Sequence, residues 1–146
     1  GFPLGSTDNY IYRFDSRGRQ RLITKDSGYY SGVVSPDGKY ILVNYSNITT
    51  PNQLRLINTK KRTTTLLYDS KSNEFANYQL GKTELFYIPN RDGLKLPAKW
   101  ILPPGFDKTK KYPVLFSVYG GPGTPIVKNR FPRWLKDYYY AQLGMI

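Results

Sequence analysis

The sequence predicts a mainly β protein with a C-terminal helix. Short runs of alternating, β-branched and aromatic residues recur about every ten residues with turn clusters between them, the spacing of an all-β architecture. Fourteen tyrosines dominate a 16% aromatic content, and tyrosine favours pleated, half-buried surfaces. Eleven prolines and thirteen glycines mark many turns and few long helices.

The elements follow in order. Tyr10 to Phe14 alternates, turns at Ser16 to Arg19, and continues as Arg21 to Thr24. Ser31 to Ser35 leads into Pro36-Asp37-Gly38, a turn with a mechanism: proline presets φ, aspartate bonds the local backbone and glycine accepts positive φ. Lys39 to Tyr45 is the strongest strand signal. Gln53 to Asn58 and Thr63 to Tyr68 flank a turn at Thr59-Lys60-Lys61. Such strands suit a propeller blade, a sandwich or a barrel. Asp69 to Lys82 is polar and reads as a connection between two bodies.

A second set follows. Glu84 to Pro89, the turn Asn90 to Gly93, and Leu96 to Leu102 form a hairpin, ended by Pro103-Pro104-Gly105. Tyr112 to Tyr119 is almost continuously apolar, as expected of a strand buried on both faces. Pro132 suits a helix first turn. Trp134, Leu135, Tyr138, Ala141 and Gln142 recur at spacings of three and four, and Gly144 suits the C-terminal cap. Met145-Ile146 reads as the start of a further strand in a β-α-β rhythm. Trp100 and Trp134 are expected in the core. Asp92 and Asp107 are expected to form turns rather than act as acids.

Composition excludes several chemistries. There is no histidine and no cysteine, so the chain itself cannot supply the imidazole of a Ser-His-Asp triad or a histidine or thiolate metal site. No metal or cofactor is expected. The net charge of +12 suggests a basic β-rich polyanion-binding module as an alternative function. The cations are scattered, however, with Lys60-Lys61-Arg62 the densest run, and nucleic-acid binding is not expected. No apolar stretch of the roughly 18 residues needed for a transmembrane helix occurs. Gly1 to Ser6 lacks the pattern of a signal peptide and reads as internal sequence. Asn47-Ile48-Thr49 fits the glycosylation pattern.

The chemically informative words are Tyr119-Gly120-Gly121-Pro122-Gly123, after the apolar run and before the helix. A strand-end loop at this place supplies part of the oxyanion hole in α/β-hydrolases. Gly120 and Gly121 would let backbone approach a substrate, and a tyrosine hydroxyl can donate to a developing oxyanion. The same cluster would also serve simply to turn the chain, with Tyr119 filling a core.

Longer phrases add context. Ser35 to Tyr45 reads SPDGKYILVNY, Ser46 to Leu56 reads SNITTPNQLRL, and Asn90 to Gly123 reads NRDGLKLPAKWILPPGFDKTKKYPVLFSVYGGPG. In order and spacing these resemble the dipeptidyl peptidase IV group of the prolyl oligopeptidase family. The resemblance implies the last strands of a β-propeller (residues 1–72) followed by the first strands of a truncated α/β-hydrolase sheet (residues 73–146). It implies a parent serine exopeptidase that releases N-terminal Xaa-Pro or Xaa-Ala dipeptides from peptide substrates. The parent would be a periplasmic or cell-surface protein and a homodimer. Tyr119 falls on the family's oxyanion-hole tyrosine. No G-x-S-x-G elbow, triad histidine or matching acid is present, so the chain alone is expected to be inactive.

Overall fold

A computed structural model describes residues 7–71, 77–121, 123, 125–132 and 134–146. It divides into two compact units, Thr7–Ser72 with Asn129–Phe131, and Asn73–Lys128 with Pro132–Ile146. Gly1 to Ser6, part of the expected polar connection, and Pro122 of the glycine-rich loop lie outside the described residues.

The first unit is all β. Strands β1 (Tyr12–Phe14) and β2 (Gln20–Leu22) form an antiparallel pair. Strands β3 (Tyr29–Val34), β4 (Tyr40–Ser46), β5 (Gln53–Asn58) and β6 (Thr63–Asp69) follow as a four-stranded antiparallel meander in sequence order. That is the form of a propeller blade. The β3–β4 turn is held as its sequence dictates. Asp37 Oδ1 accepts from the Lys39 N–H at 3.1 Å, and the Ser35 hydroxyl oxygen accepts from the Tyr40 N–H at 3.0 Å. Gly38 takes a φ of 67°.

Alternation on β4 decides which face is buried. Ile41, Val43 and Tyr45 point to one side and pack with Tyr30 and Ile57 as the core, with Ile11 and Ile23 partly buried against it. The Tyr30 and Tyr45 ring centroids lie 4.7 Å apart. Arg55 stacks its guanidinium 3.8 Å from the Tyr45 centroid and bonds Asp26 at 2.8 Å. The Tyr45 hydroxyl donates to the Ser27 carbonyl at 2.9 Å.

Asn129, which sequence reasoning did not single out, fastens the 129–131 segment to this unit. It is only 8% exposed. Its backbone N–H donates to the Thr7 carbonyl, its amide nitrogen donates to Asp8 and Ser27, and its amide oxygen accepts from the Ile48 N–H. The Phe131 N–H donates to the Ser46 hydroxyl oxygen. These bonds satisfy polar groups that burial would otherwise penalise.

In the second unit, β7 (Lys82–Pro89) and β8 (Lys95–Leu102), eight residues each, form an antiparallel hairpin. Its turn is organised by Asn90, whose Oδ1 accepts from the Asp92 and Leu94 N–H groups, with Gly93 at φ 80°. Helix α1 (Lys136–Gln142) buries Tyr138 and Ala141. The Tyr138 hydroxyl meets the Thr83 hydroxyl at 3.2 Å in a buried hydrogen bond. The helix closes in a Schellman motif, with Met145 N–H donating to the Tyr140 carbonyl and Gly144 N–H to the Ala141 carbonyl.

Three expectations need correction. The helix begins at Lys136, and Trp134 before it is 68% exposed rather than in the core. Trp100 also has an exposed face. Its indole donates to Glu84 at 2.8 Å, and its ring lies 4.5 Å from that of Phe86. The run Tyr112 to Tyr119 is not a strand buried on both faces: it forms no strand, and Phe116 is 84% exposed. Its backbone pairs at one step only. Ile146 N–H donates to the Pro113 carbonyl at 2.9 Å, and Leu115 N–H donates to the Ile146 carbonyl at 2.8 Å. This donor and acceptor order is that of a parallel ladder centred on Val114. One step is too few to make a strand, but its direction is that of a β-α-β unit.

Candidate active-site loop

Tyr119 stands where the apolar run gives way to the glycine loop. Gly120 adopts a φ of 68° and Gly123 a φ of 80°. Both values lie in the left-handed region, which is strained for residues with a Cβ. The chain therefore turns sharply straight after the tyrosine.

The phenol stays by this turn. An ideal Cβ built on Gly121 would meet Tyr119 Cε1 at 2.6 Å and Cζ at 3.2 Å. The ring thus lies against the backbone of Gly121, and it is 61% exposed. It is not packed into an aliphatic core. Among the described residues, chain neighbours aside, nothing stands within 4 Å of an added Cβ at Gly120 or Gly123, so the loop has open space beside it. The arrangement presents a neutral O–H donor next to glycine backbone that an extended group could approach.

The other sequence candidates lie apart from this loop in role. Asp107 forms a turn, its Oδ1 accepting from the Thr109 N–H at 3.0 Å and hydroxyl at 2.7 Å. The Thr109 backbone bond is the main reason its carboxyl titrates below the usual range. Asp92 lies in the β7–β8 turn. Asn47 is held by its own turn, its Oδ1 accepting from Thr49 and Thr50 while its amide nitrogen donates to the Tyr45 hydroxyl. Among the described residues no cluster of acids could hold a metal ion, and no helix is long and apolar enough to cross a membrane.

Comparison with known proteins places this architecture. No family model matches the chain. The Arthroderma gypseum protein designated "Probable dipeptidyl-aminopeptidase B" is 36% identical over 150 residues, covering 95% of this chain and 16% of that protein. The crystal structure of Porphyromonas gingivalis dipeptidyl peptidase 4 superposes with a TM-score of 0.83 at 25% identity, over 95% of this chain and 20% of that one. A Bacteroides ovatus structure assigned as a dipeptidyl aminopeptidase IV superposes with a TM-score of 0.74 at 29% identity, over 89% of this chain and 19% of that one.

The antiparallel blade and the one helix among the described residues are therefore similar to part of these dipeptidyl peptidase structures. In sequence and fold the chain is similar to one segment of these dipeptidyl peptidase relatives. It spans about one sixth of the length of the curated relatives it matches.

Proposed function

We propose that the chain supplies part of the oxyanion-binding side of a dipeptidyl peptidase IV-like serine peptidase, with Tyr119 as the donor. In this reading residues 1–72 are the C-terminal part of the propeller and residues 73–146 open the α/β-hydrolase domain. Among the described residues the 129–131 segment, which clusters with the first unit, departs from that simple division.

The chemistry follows from the donor. A serine elsewhere in the whole protein attacks the carbonyl carbon of the substrate's second residue, proline or alanine. Negative charge develops on the carbonyl oxygen. The Tyr119 hydroxyl donates a hydrogen bond to it, and Gly120 and Gly121 admit the substrate backbone. Donors aimed at developing charge act more strongly on the transition state than on the ground state. The observation that carries this reading is the exposed phenol lying against Gly121.

Tyr119→Phe in the whole protein tests it. Removal of one oxyanion donor lowers kcat on the order of 10²–10³-fold. An unchanged kcat overturns the assignment. The chain alone has no histidine and is expected to give no turnover of a Gly-Pro chromogenic substrate.

A further inference from the structure

The first unit contains a cavity of about 410 Å³ between the β1–β2 region and the β5–β6 hairpin. Four of its lining residues are cationic, Arg21, Lys25, Arg55 and Arg62, and Asp26 is its one acid. Sequence separates Arg21 from Arg62 by most of the blade, so the cluster is invisible as a run. The fold assembles it.

Charge inside the cavity is unbalanced. Asp26 is already engaged by Arg55, which also donates to the Gln53 amide oxygen through Nε and Nη2. Arg21, Lys25 and Arg62 make no ion pair and no side-chain hydrogen bond among the described residues. Asn58 adds to the donor excess. Its Oδ1 accepts from the Lys60 and Lys61 N–H groups, which leaves its amide nitrogen as a donor. The lining is therefore rich in donors, and its only carboxylate is in use.

The backbone at Arg62 supplies an independent observation. Its φ is 59°, and it is the one described non-glycine residue with a positive φ. Glycine fills such a hairpin position without strain, whereas a residue with a Cβ does not. An arginine held there is strained for the sake of its side chain or its surroundings, and strain of this kind concentrates at functional positions.

We propose that this cavity binds a small oxyanion-bearing molecule, through Arg21, Lys25 and Arg62 as charge-assisted donors with Asn58 beside them. The chemistry sought is a phosphate or carboxylate group on a ligand that a cavity of this size can admit. It is independent of the Tyr119 reading.

The test is titration of the isotope-labelled chain with inorganic phosphate and, separately, with citrate, followed by amide NMR shifts. Saturable binding with shifts concentrated at residues 21–26 and 58–64 is expected. Saturation by phosphate alone identifies the phosphoryl source, and saturation by citrate alone the carboxylate source. Arg62→Gly relieves the backbone, so its thermal midpoint should hold or rise. Loss of one charge-assisted donor should still weaken binding about tenfold. Arg21→Gln gives the same comparison at a position without backbone strain. Lys110→Gln removes equal charge at an exposed position that does not line the cavity and should change affinity by less than about twofold, since an exposed charge is screened. Failure of both anions to saturate, shifts spread over all surface cations, or equal weakening by Lys110→Gln would each overturn the proposal.

Discussion

Tyr119 rests its ring on Gly121, and the two are so close that no side chain fits between them. The nearest ring atom would stand 2.6 Å from a Cβ at that position. Gly121 itself does not have a positive φ, so alanine is tolerated by the backbone and excluded only by the ring. Gly121→Ala therefore displaces the phenol without breaking the loop. In the whole protein it should lower kcat on the order of 10–100-fold, the scale of a misplaced catalytic group, with KM little changed. Combined with Tyr119→Phe it should add almost nothing, because the displaced group is already gone. In this chain the nuclear Overhauser contact between Gly121 Hα and the Tyr119 ring should vanish. Independent, additive losses would mean that Gly121 acts by some route other than placing the ring.

Two other glycines separate steric from conformational demand. Gly32 pairs with Val43 across β3 and β4, and an added Cβ would meet the Leu42 carbonyl oxygen at 2.5 Å. Gly38 has open space but a φ of 67°. Gly32→Ala must move sheet backbone and should cost about 1–3 kcal/mol. Gly38→Ala has only its left-handed backbone against it, about 1 kcal/mol. Urea midpoints should rank Gly32→Ala as the more damaging, and the reverse order would contradict the packing of the blade.

The contrast shows what the sequence could and could not tell. Turns were legible because their chemistry is local: Pro36-Asp37-Gly38 and Asn90 to Gly93 carry their own acceptors and positive-φ residues. The β4 alternation likewise marked its buried face. The apolar run from Tyr112 misled because continuous apolarity reports a need for burial without naming what meets it. Its observed partner is Ile146, more than thirty residues away. Asn129 was missed because its partners lie at Thr7, Asp8, Ser27 and Ile48, and the cation cluster because Arg21 and Arg62 meet only through the fold. The Tyr119 loop was legible as a local word, while the closeness of its ring to Gly121 required coordinates.

Thr83 and Tyr138 offer a test of how α1 is held to the hairpin. Their hydroxyls share one buried hydrogen bond. Tyr138→Phe leaves the Thr83 hydroxyl without that partner and should cost about 1–2 kcal/mol, the penalty for an unsatisfied buried group. Thr83→Val should be similar alone. The double variant should recover part of the loss, since replacing both partners removes the stranded donor. Purely additive losses in chemical denaturation would show that the pair does not couple helix to sheet.

Alkaline pH should weaken the fold, and Tyr30 should carry much of the effect. Burial raises its phenol above the ordinary 10.0, the Asp26 charge adds to the rise, and Arg55 opposes it. Burial also raises Tyr138 and Tyr10. Above about pH 10 the unfolded chain gives up these protons while the folded chain keeps them. The folded state then binds more protons, so stability falls as pH rises. Lys99 works the other way: burial lowers its ammonium despite Asp137, so the folded chain loses that proton first and gains stability with pH. The displacement of Tyr30 is the large one among these groups and sets the sign of the balance. Urea midpoints measured between about pH 8 and about pH 11 should therefore decline. Tyr30→Phe should make the decline shallower, whatever it does to stability at neutral pH. A slope identical to that of the unaltered chain would mean that the Tyr30 phenol ionises as readily in the folded chain as in the unfolded one.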